Sequence, residues 1–216
     1  MSRSNSSVSS AFTENGSLTM IIGPMFSGKT TELKRLIRNA YAKRLNFLLI
    51  RHSSDVRKLD NSSEEAECFL TNHDGERLDV SIDGNPKRMC ISTHDLKEVN
   101  IDGYDVVAIE EGQFFDDITT VVMQWIRNKK KNVIVVGLVS YAAPHSENCL
   151  YPLNNILHLI PHANKTECFK SVCNICLNDE GLYHYRLEHI DAQPQMYVGG
   201  TEDYGVACLS CIQNVK

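Results

Sequence analysis

Apolar positions in this chain fall into short, nearly continuous runs separated by stretches with helical period. Leu18–Ile22, Phe47–Ile50, Tyr104–Ile109 and Val133–Leu138 are such runs. Their length and lack of alternation predict strands covered on both faces. Between the first two, Lys29–Lys43 sets Leu33, Leu36, Ile37 and Ala40 on one face and Lys34, Arg35 and Arg38 opposite, predicting an amphipathic helix. Asp116–Arg127 predicts a second helix, with Asp116 and Asp117 in a first turn where carboxylates oppose the macrodipole. Leu153–Ile160 is a short apolar segment stopped by Pro161. Residues 59–100 are the least regular part, with turn signals at Asn61–Ser63 and Asp83–Pro86 and a hairpin turn expected at Thr71–Gly75. Strands alternating with helices predict an α/β fold around a parallel sheet, with its ligand at the carboxyl ends of the strands.

That placement makes residues 23–30, GPMFSGKT, the centre of the pattern. Gly23, Gly28, Lys29 and Thr30 satisfy the phosphate-loop spacing, and Pro24, Met25, Phe26 and Ser27 fill it, between a strand and a helix. Glycines let backbone N–H groups close around phosphate oxygens, and the helix N-terminus adds partial positive charge. Lys29 then reaches the β- and γ-phosphates and Thr30 holds Mg2+, so a nucleoside triphosphate is the expected ligand. After the second strand, Asp55 and Arg57 can bind metal-bound water and steady phosphoryl charge, or form a plain surface ion pair. The Tyr104–Ile109 strand ends in Glu110 and Glu111, the pattern of a Walker B site.

Beyond residue 167 four cysteines dominate. Cys173, Cys176, Cys208 and Cys211 give C-x2-C-x31-C-x2-C, two knuckles that can complete a tetrahedral thiolate site for Zn2+. Four cysteine ligands leave no open position, so the metal is read as structural; two disulfides are the alternative. Cys68, Cys90, Cys149 and Cys168 lack ligand spacing and read as ordinary small residues; His184 and His189 are competing ligands in principle but, beside four thiolates, read as loop residues.

Composition narrows the class without changing it. The 216 residues are 42% apolar and 23% charged, enough for a sizeable core. A net charge of −5 provides no basic footprint for nucleic acid, and Arg127–Lys131 reads as a set of macrodipole partners at a helix end. No apolar run approaches the roughly 18 residues of a membrane span, and no secretory signal is evident. Eight cysteines without such a signal favour metal binding in a reducing compartment, the cytoplasm. The expected organisation is a disordered serine-rich tail over 1–16, a P-loop α/β nucleotide-binding domain over 17–167, and a four-cysteine zinc lobe over 168–216.

Taken together, GPMFSGKT, Asp55 and Arg57, EEGQFF over 110–115, and a four-cysteine site enclosing VGG and Tyr204 resemble the cellular-type (type II) thymidine kinases across about residues 17–212. The resemblance implies a RecA-like α/β domain with a small zinc-ribbon lobe whose lasso loop covers the base. It implies γ-phosphoryl transfer from ATP to the 5′-hydroxyl of deoxythymidine, and homotetramers. By position, Glu111 matches the general base, and Asp55, Arg57, Glu110 and Gln113 match positions facing the nucleotide and its metal. Met25 and Leu138 match apolar walls of the nucleoside pocket, and Tyr204 matches the lasso tyrosine. Gln195, Met196, Tyr197, Val198 and Gly199 match the stretch whose backbone binds thymine edges.

Departures from the family concentrate in the acceptor pocket. Glu110 replaces an aspartate. Leu138-Val139-Ser140-Tyr141-Ala142 stands where the family reads L-D-G-x-F, extra residues follow near 143–151, Leu153 replaces a phenylalanine, and Lys170 replaces a small hydroxyl residue. A respecified or catalytically weak nucleotide-binding member with a regulatory or assembly role is the alternative that these changes raise.

Overall fold

The computed structural model describes residues 12–54, 69–71, 77–79, 87–138, 140, 155–178, 180–187 and 203–214. In chain order the elements are β1 (Ser17–Ile22), α1 (Lys29–Ala42), β2 (Phe47–His52), β3 (Phe69–Thr71), β4 (Arg77–Asp79), β5 (Arg88–Thr93) and β6 (Val106–Ile109). They continue with α2 (Ile118–Lys129), β7 (Asn132–Gly137), β8 (Lys165–Cys168), β9 (Ser171–Val172), β10 (Glu180–Gly181), β11 (Tyr183–Arg186), β12 (Tyr204–Ala207) and α3 (Leu209–Ile212). Six strands form one sheet in the order β5-β2-β6-β7-β1-β8. Every neighbouring pair is parallel, as the continuous apolar runs require.

Both faces of the sheet are covered. Leu18, Met20, Ile22, Val133 and Val135 face a layer made by Ile118, Val122 and Trp125 of α2 with Ile156 and Leu159. The intervening Ile21, Ile134 and Val136 face Leu33, Leu36, Ile37 and Ala40 of α1. This alternation within a fully buried strand is the strand period of two, read on two buried faces.

Several expectations shift. The edge strands β5 and β8 lie in sequence too polar to register as runs, because an edge needs less apolar cover. The antiparallel pair β3–β4 brackets the expected hairpin turn, of which only Thr71 is described. Lys34, assigned to the polar face of α1, is buried, since it flanks Leu33 and Ile37 at the margin of the apolar arc. A 3-10 turn over Asn155–His162 runs through Pro161 instead of stopping at it; proline removes one donor, and the Ala163 N–H still reaches the Ile160 carbonyl at 3.1 Å. Cys90 on β5 is disulfide-bonded rather than a plain small side chain.

The expected tail boundary also moves inward. Phe12 is buried in the α1 layer, with the Lys43 Nζ 5.6 Å from its ring centre. The Thr13 N–H donates to Asn132 Oδ1 at 2.8 Å, which anchors residues 12–16 to the start of β7. One aromatic ring supplies the apolar area that the serine-rich stretch lacks. Phe12→Ala is expected to lower stability by about 1.5–3 kcal/mol in urea denaturation; a loss below about 0.5 kcal/mol, the size of a surface substitution, would show that the ring contributes no burial.

Candidate functional site

The phosphate loop leaves the carboxyl end of β1. Gly23 is required there, because a Cβ would lie 2.5 Å from the Phe169 carbonyl oxygen of the segment after β8. Gly28, at φ 90°, forms the N-cap of α1 with no side-chain cap. The first-turn N–H groups of a 14-residue helix are thus directed at the loop mouth, the standard arrangement for an anion. Within the loop, the Ser27 hydroxyl and the Lys29 ammonium both donate to the Pro24 carbonyl, at 2.8 and 2.5 Å, so the charged end of Lys29 sits over the loop.

Glu110 and Glu111 follow β6, and Leu138 follows β7. Since β7 lies between β6 and β1, the acidic pair, Leu138 and the phosphate loop share one edge of the sheet. Glu110 is buried and its Oε2 accepts from the Arg51 Nε at 2.9 Å. The glutamate in place of the family's aspartate therefore carries its carboxylate to a cation on β2. A buried carboxylate of this kind needs such a partner.

Glu111 occupies the left-handed region, φ 52° and ψ 48°. A non-glycine residue there is sparsely populated and strained, a feature found where surrounding structure fixes a side chain for use. The surroundings here are explicit. Gln113 Oε1 accepts from the Leu138 N–H at 3.0 Å, which orients the amide so that its Nε2 donates to Glu111 Oε2 at 2.6 Å. Gln113, expected among the ATP contacts, thus bridges the pocket wall and the glutamate. Gln113→Leu is expected to reduce kcat by roughly 10-fold, corresponding to the loss of about 1.5 kcal/mol from a hydrogen bond to a charged group, with KM for ATP little changed. An unaltered kcat would mean that the bridge does not orient Glu111.

Three residues assigned to the nucleoside pocket come together: Met25 and Tyr204 are buried with Val206, and Leu138 and Phe26 pack against them. Lys170 pairs with Glu180 at the surface. Asp55, Arg57, Val139, Tyr141, Ala142, Leu153, His189 and residues 195–199 lie outside the described residues.

The sulfur atoms of Cys173, Cys176, Cys208 and Cys211 lie within 4.8 Å of one another, and none of the four is disulfide-bonded. The Cys176–Cys208 separation of 4.0 Å is close to the roughly 3.8 Å edge of a tetrahedron with Zn–S bonds near 2.3 Å. Burial raises the Cys173 pKa, but backbone N–H groups of Cys176, Cys208 and Ile175 outweigh it and bring the thiol down to about 6. Hydrogen bonding to the Cys208 thiol, with burial and the remaining cysteines, pushes Cys211 up to about 12. Four thiolates in this geometry fit zinc.

The residue least visible beforehand is His184. It was expected in a loop; it is a buried member of β11, and its Nε2 accepts from the Met25 N–H at 2.8 Å. Burial, then the nearby Lys29 charge, hold its pKa down to about 3, so the ring is neutral. In Tyr183–Arg186 the buried positions are His184 and Arg186, the reverse of what hydropathy suggests. Arg51 had no sequence signal beyond its place at the end of an apolar strand.

A sequence model described as thymidine kinase matches residues 16–212. A thymidine kinase from Choristoneura biennis entomopoxvirus is 32% identical over 197 residues, covering 90% of this chain and 95% of the relative. One from Amsacta moorei entomopoxvirus is 33% identical over 92% of this chain and 98% of the relative. Thymidine kinase 1 of Dictyostelium discoideum is 31% identical over 91% of this chain and 77% of its own length. With a parallel α/β sheet that carries a phosphate loop and a braced glutamate at the carboxyl ends of its strands, and with four clustered cysteines, the chain belongs to the thymidine kinase family.

Proposed function

We propose that this protein transfers the γ-phosphoryl group of ATP to the 5′-hydroxyl of deoxythymidine, as a step of nucleoside salvage. The observation that carries this reading is the braced Glu111 on the same sheet edge as the phosphate loop, one strand removed from it. The loop amides and Lys29 hold the triphosphate, and Thr30 would hold Mg2+ with it; the metal supplies neutralisation of phosphate charge. Glu111 accepts the 5′-hydroxyl proton as the oxygen attacks phosphorus and the bond to ADP breaks. Met25, Leu138 and Tyr204 wall the sugar and base, with the backbone of residues 195–199 reading the thymine edge and Asp55 and Arg57 attending the phosphates. Cys173, Cys176, Cys208 and Cys211 would hold Zn2+, which would close the lobe that carries the lasso. The same reading divides the chain at the last residue of β8, into an α/β domain over 17–167 and a zinc lobe over 168–216, and includes a cytoplasmic homotetramer.

One observation favours the second reading, a catalytically weak regulatory member: Arg51 neutralises Glu110, which the Walker B pattern reserves for metal-bound water. Incubating purified protein with ATP-Mg and a panel of deoxynucleosides separates the two. Formation of a 5′-monophosphate, fastest with deoxythymidine, is expected. ATP binding without turnover of any nucleoside would establish the second reading, and faster turnover of another base would reassign the acceptor.

A further inference from the structure

His184 belongs to the cysteine lobe by chain position and to the phosphate loop by contact. Its Nε2 accepts from a backbone N–H, which can only donate, so the ring proton must reside on Nδ1. That nitrogen faces the Ser140 hydroxyl at 3.5 Å, in the segment after β7. The Ser140 backbone also hydrogen-bonds the ring. The imidazole therefore spans the two segments that flank the crevice. Met25, whose amide it takes up, also contributes its side chain to the apolar cluster with Tyr204 and Leu138.

On the other side, β11 connects to the cysteine knuckle through its partner strand β12, which Asn174 holds by two hydrogen bonds. His184 lies opposite Val206 in the antiparallel β11–β12 pair. Asn174, between Cys173 and Cys176, grips Val206 from both sides of its backbone: the Asn174 N–H donates to the Val206 carbonyl at 2.8 Å, and Asn174 Oδ1 accepts from the Val206 N–H at 2.7 Å. Beyond Val206, β12 ends one residue before Cys208. A continuous path thus runs from the cysteine knuckle through Asn174, Val206 and His184 to the amide of Met25.

We propose that His184 is a positioning residue that couples the cysteine lobe to the phosphate loop, so that ATP affinity depends on the integrity of the four-cysteine centre. The Met25 amide is committed to the ring, and the loop holds its binding-ready shape only while β11 is held in register. Neutrality is essential to the arrangement: a second ring proton on Nε2 would confront the Met25 N–H and add charge beside Lys29. The neighbouring imidazole thereby makes the lobe a structural part of the nucleotide site as well as a cover for the base. This inference rests on residues 23–30 binding ATP and not on which nucleoside is phosphorylated.

Calorimetric titration of the full-length protein with ATP-Mg tests it, using His184→Gln, which retains an acceptor of similar reach, and His184→Leu, which fills volume without one. His184→Leu is expected to weaken ATP binding about 5–30-fold, the range for an unsatisfied buried donor of 1–2 kcal/mol, and His184→Gln to restore most of it. Melting temperature and zinc content, measured on both, separate this effect from a general loss of fold. Removing metal with a chelator is expected to weaken ATP binding several-fold in the wild type and by less than twofold in His184→Leu, because the connection is already cut. A Nε2 shift in the range of an unprotonated acceptor, in 15N-histidine spectra near neutral pH, accompanies the intact strut. Equal affinities for both variants and the wild type, or chelation effects that simply add to the His184→Leu effect, would overturn the coupling. Wild type that binds ATP-Mg but phosphorylates no nucleoside would sink the kinase reading instead, so the two can fail separately.

Discussion

Replacing Glu111 with glutamine is expected to lower kcat by roughly 10²–10⁴-fold, the usual contribution of a positioned general base, while leaving ATP-Mg affinity nearly unchanged. The substitution preserves shape, and the Glu111 side chain already accepts from Gln113 Nε2, a bond that the amide oxygen of glutamine can keep. What disappears is the capacity to take a proton. The left-handed backbone at φ 52° is retained by the surrounding turn, in which the Phe114 N–H bonds the Glu111 carbonyl at 3.1 Å. Glu111→Asp provides a second point: it keeps the charge but withdraws it by about one C–C bond length, near 1.5 Å. If proximity sets the rate, its kcat falls between those of wild type and Glu111→Gln. Single-turnover quench measurements keep product release from masking the chemical step. A Glu111→Gln variant with kcat within a few-fold of wild type would remove Glu111 from the proton transfer. One that loses ATP affinity in equal measure would make it a structural residue.

Removing the metal is the other large perturbation. Metal analysis of purified protein should find one zinc per chain. Cys173→Ser, or treatment with a strong chelator, is expected to abolish nucleoside binding and to lower the melting temperature. The energy at stake is substantial, since structural zinc sites bind with an apparent free energy of about 10–16 kcal/mol near neutral pH. Among the described residues, the buried cluster around the cysteines consists of Cys173, Ala207, Cys208 and Ile212, two of which belong to the four-cysteine set. ATP binding should fall less, by the amount that His184 transmits, because the loop and α1 are held mainly by the sheet. Zinc affinity should rise with pH, as the four thiols must be deprotonated to bind the metal. Full nucleoside binding by metal-free protein would detach the cysteine centre from the substrate site.

The parts of this molecule that were legible from its sequence are those where local pattern and tertiary role coincide. Leu18–Ile22 and Val133–Leu138 are buried on both faces, so their continuous apolar character is the fold signal itself. The glycines at 23 and 28 and the cysteine knuckles declare themselves because backbone approach and metal ligation admit few residue types. Edge strands carry no such demand, and Lys165–Cys168 reads as a polar linker although it pairs along β1. Burial of polar groups is harder still to foresee. His184, Arg186 and Glu110 are buried, yet nothing in one dimension shows that the Met25 amide awaits the first or that Arg51 meets the last. Such partners come from segments far apart in the chain, and only the tertiary fold brings them together. Phe12 was obscured differently, by the serine-rich residues that precede a single well-packed ring.

The anchoring of residues 12–16 beside Asn132 bears on how the protein can be handled. Asn132 opens β7, whereas Leu138 follows that strand's far end at the phosphate-loop edge. A strand of six residues advances about 20 Å, at roughly 3.3 Å per residue. An affinity handle or fluorescent reporter fused ahead of Phe12 therefore joins the folded chain at the amino edge of the sheet, on the opposite side from the crevice. Labels attached there can report on binding by tumbling or proximity, with the site itself left clear.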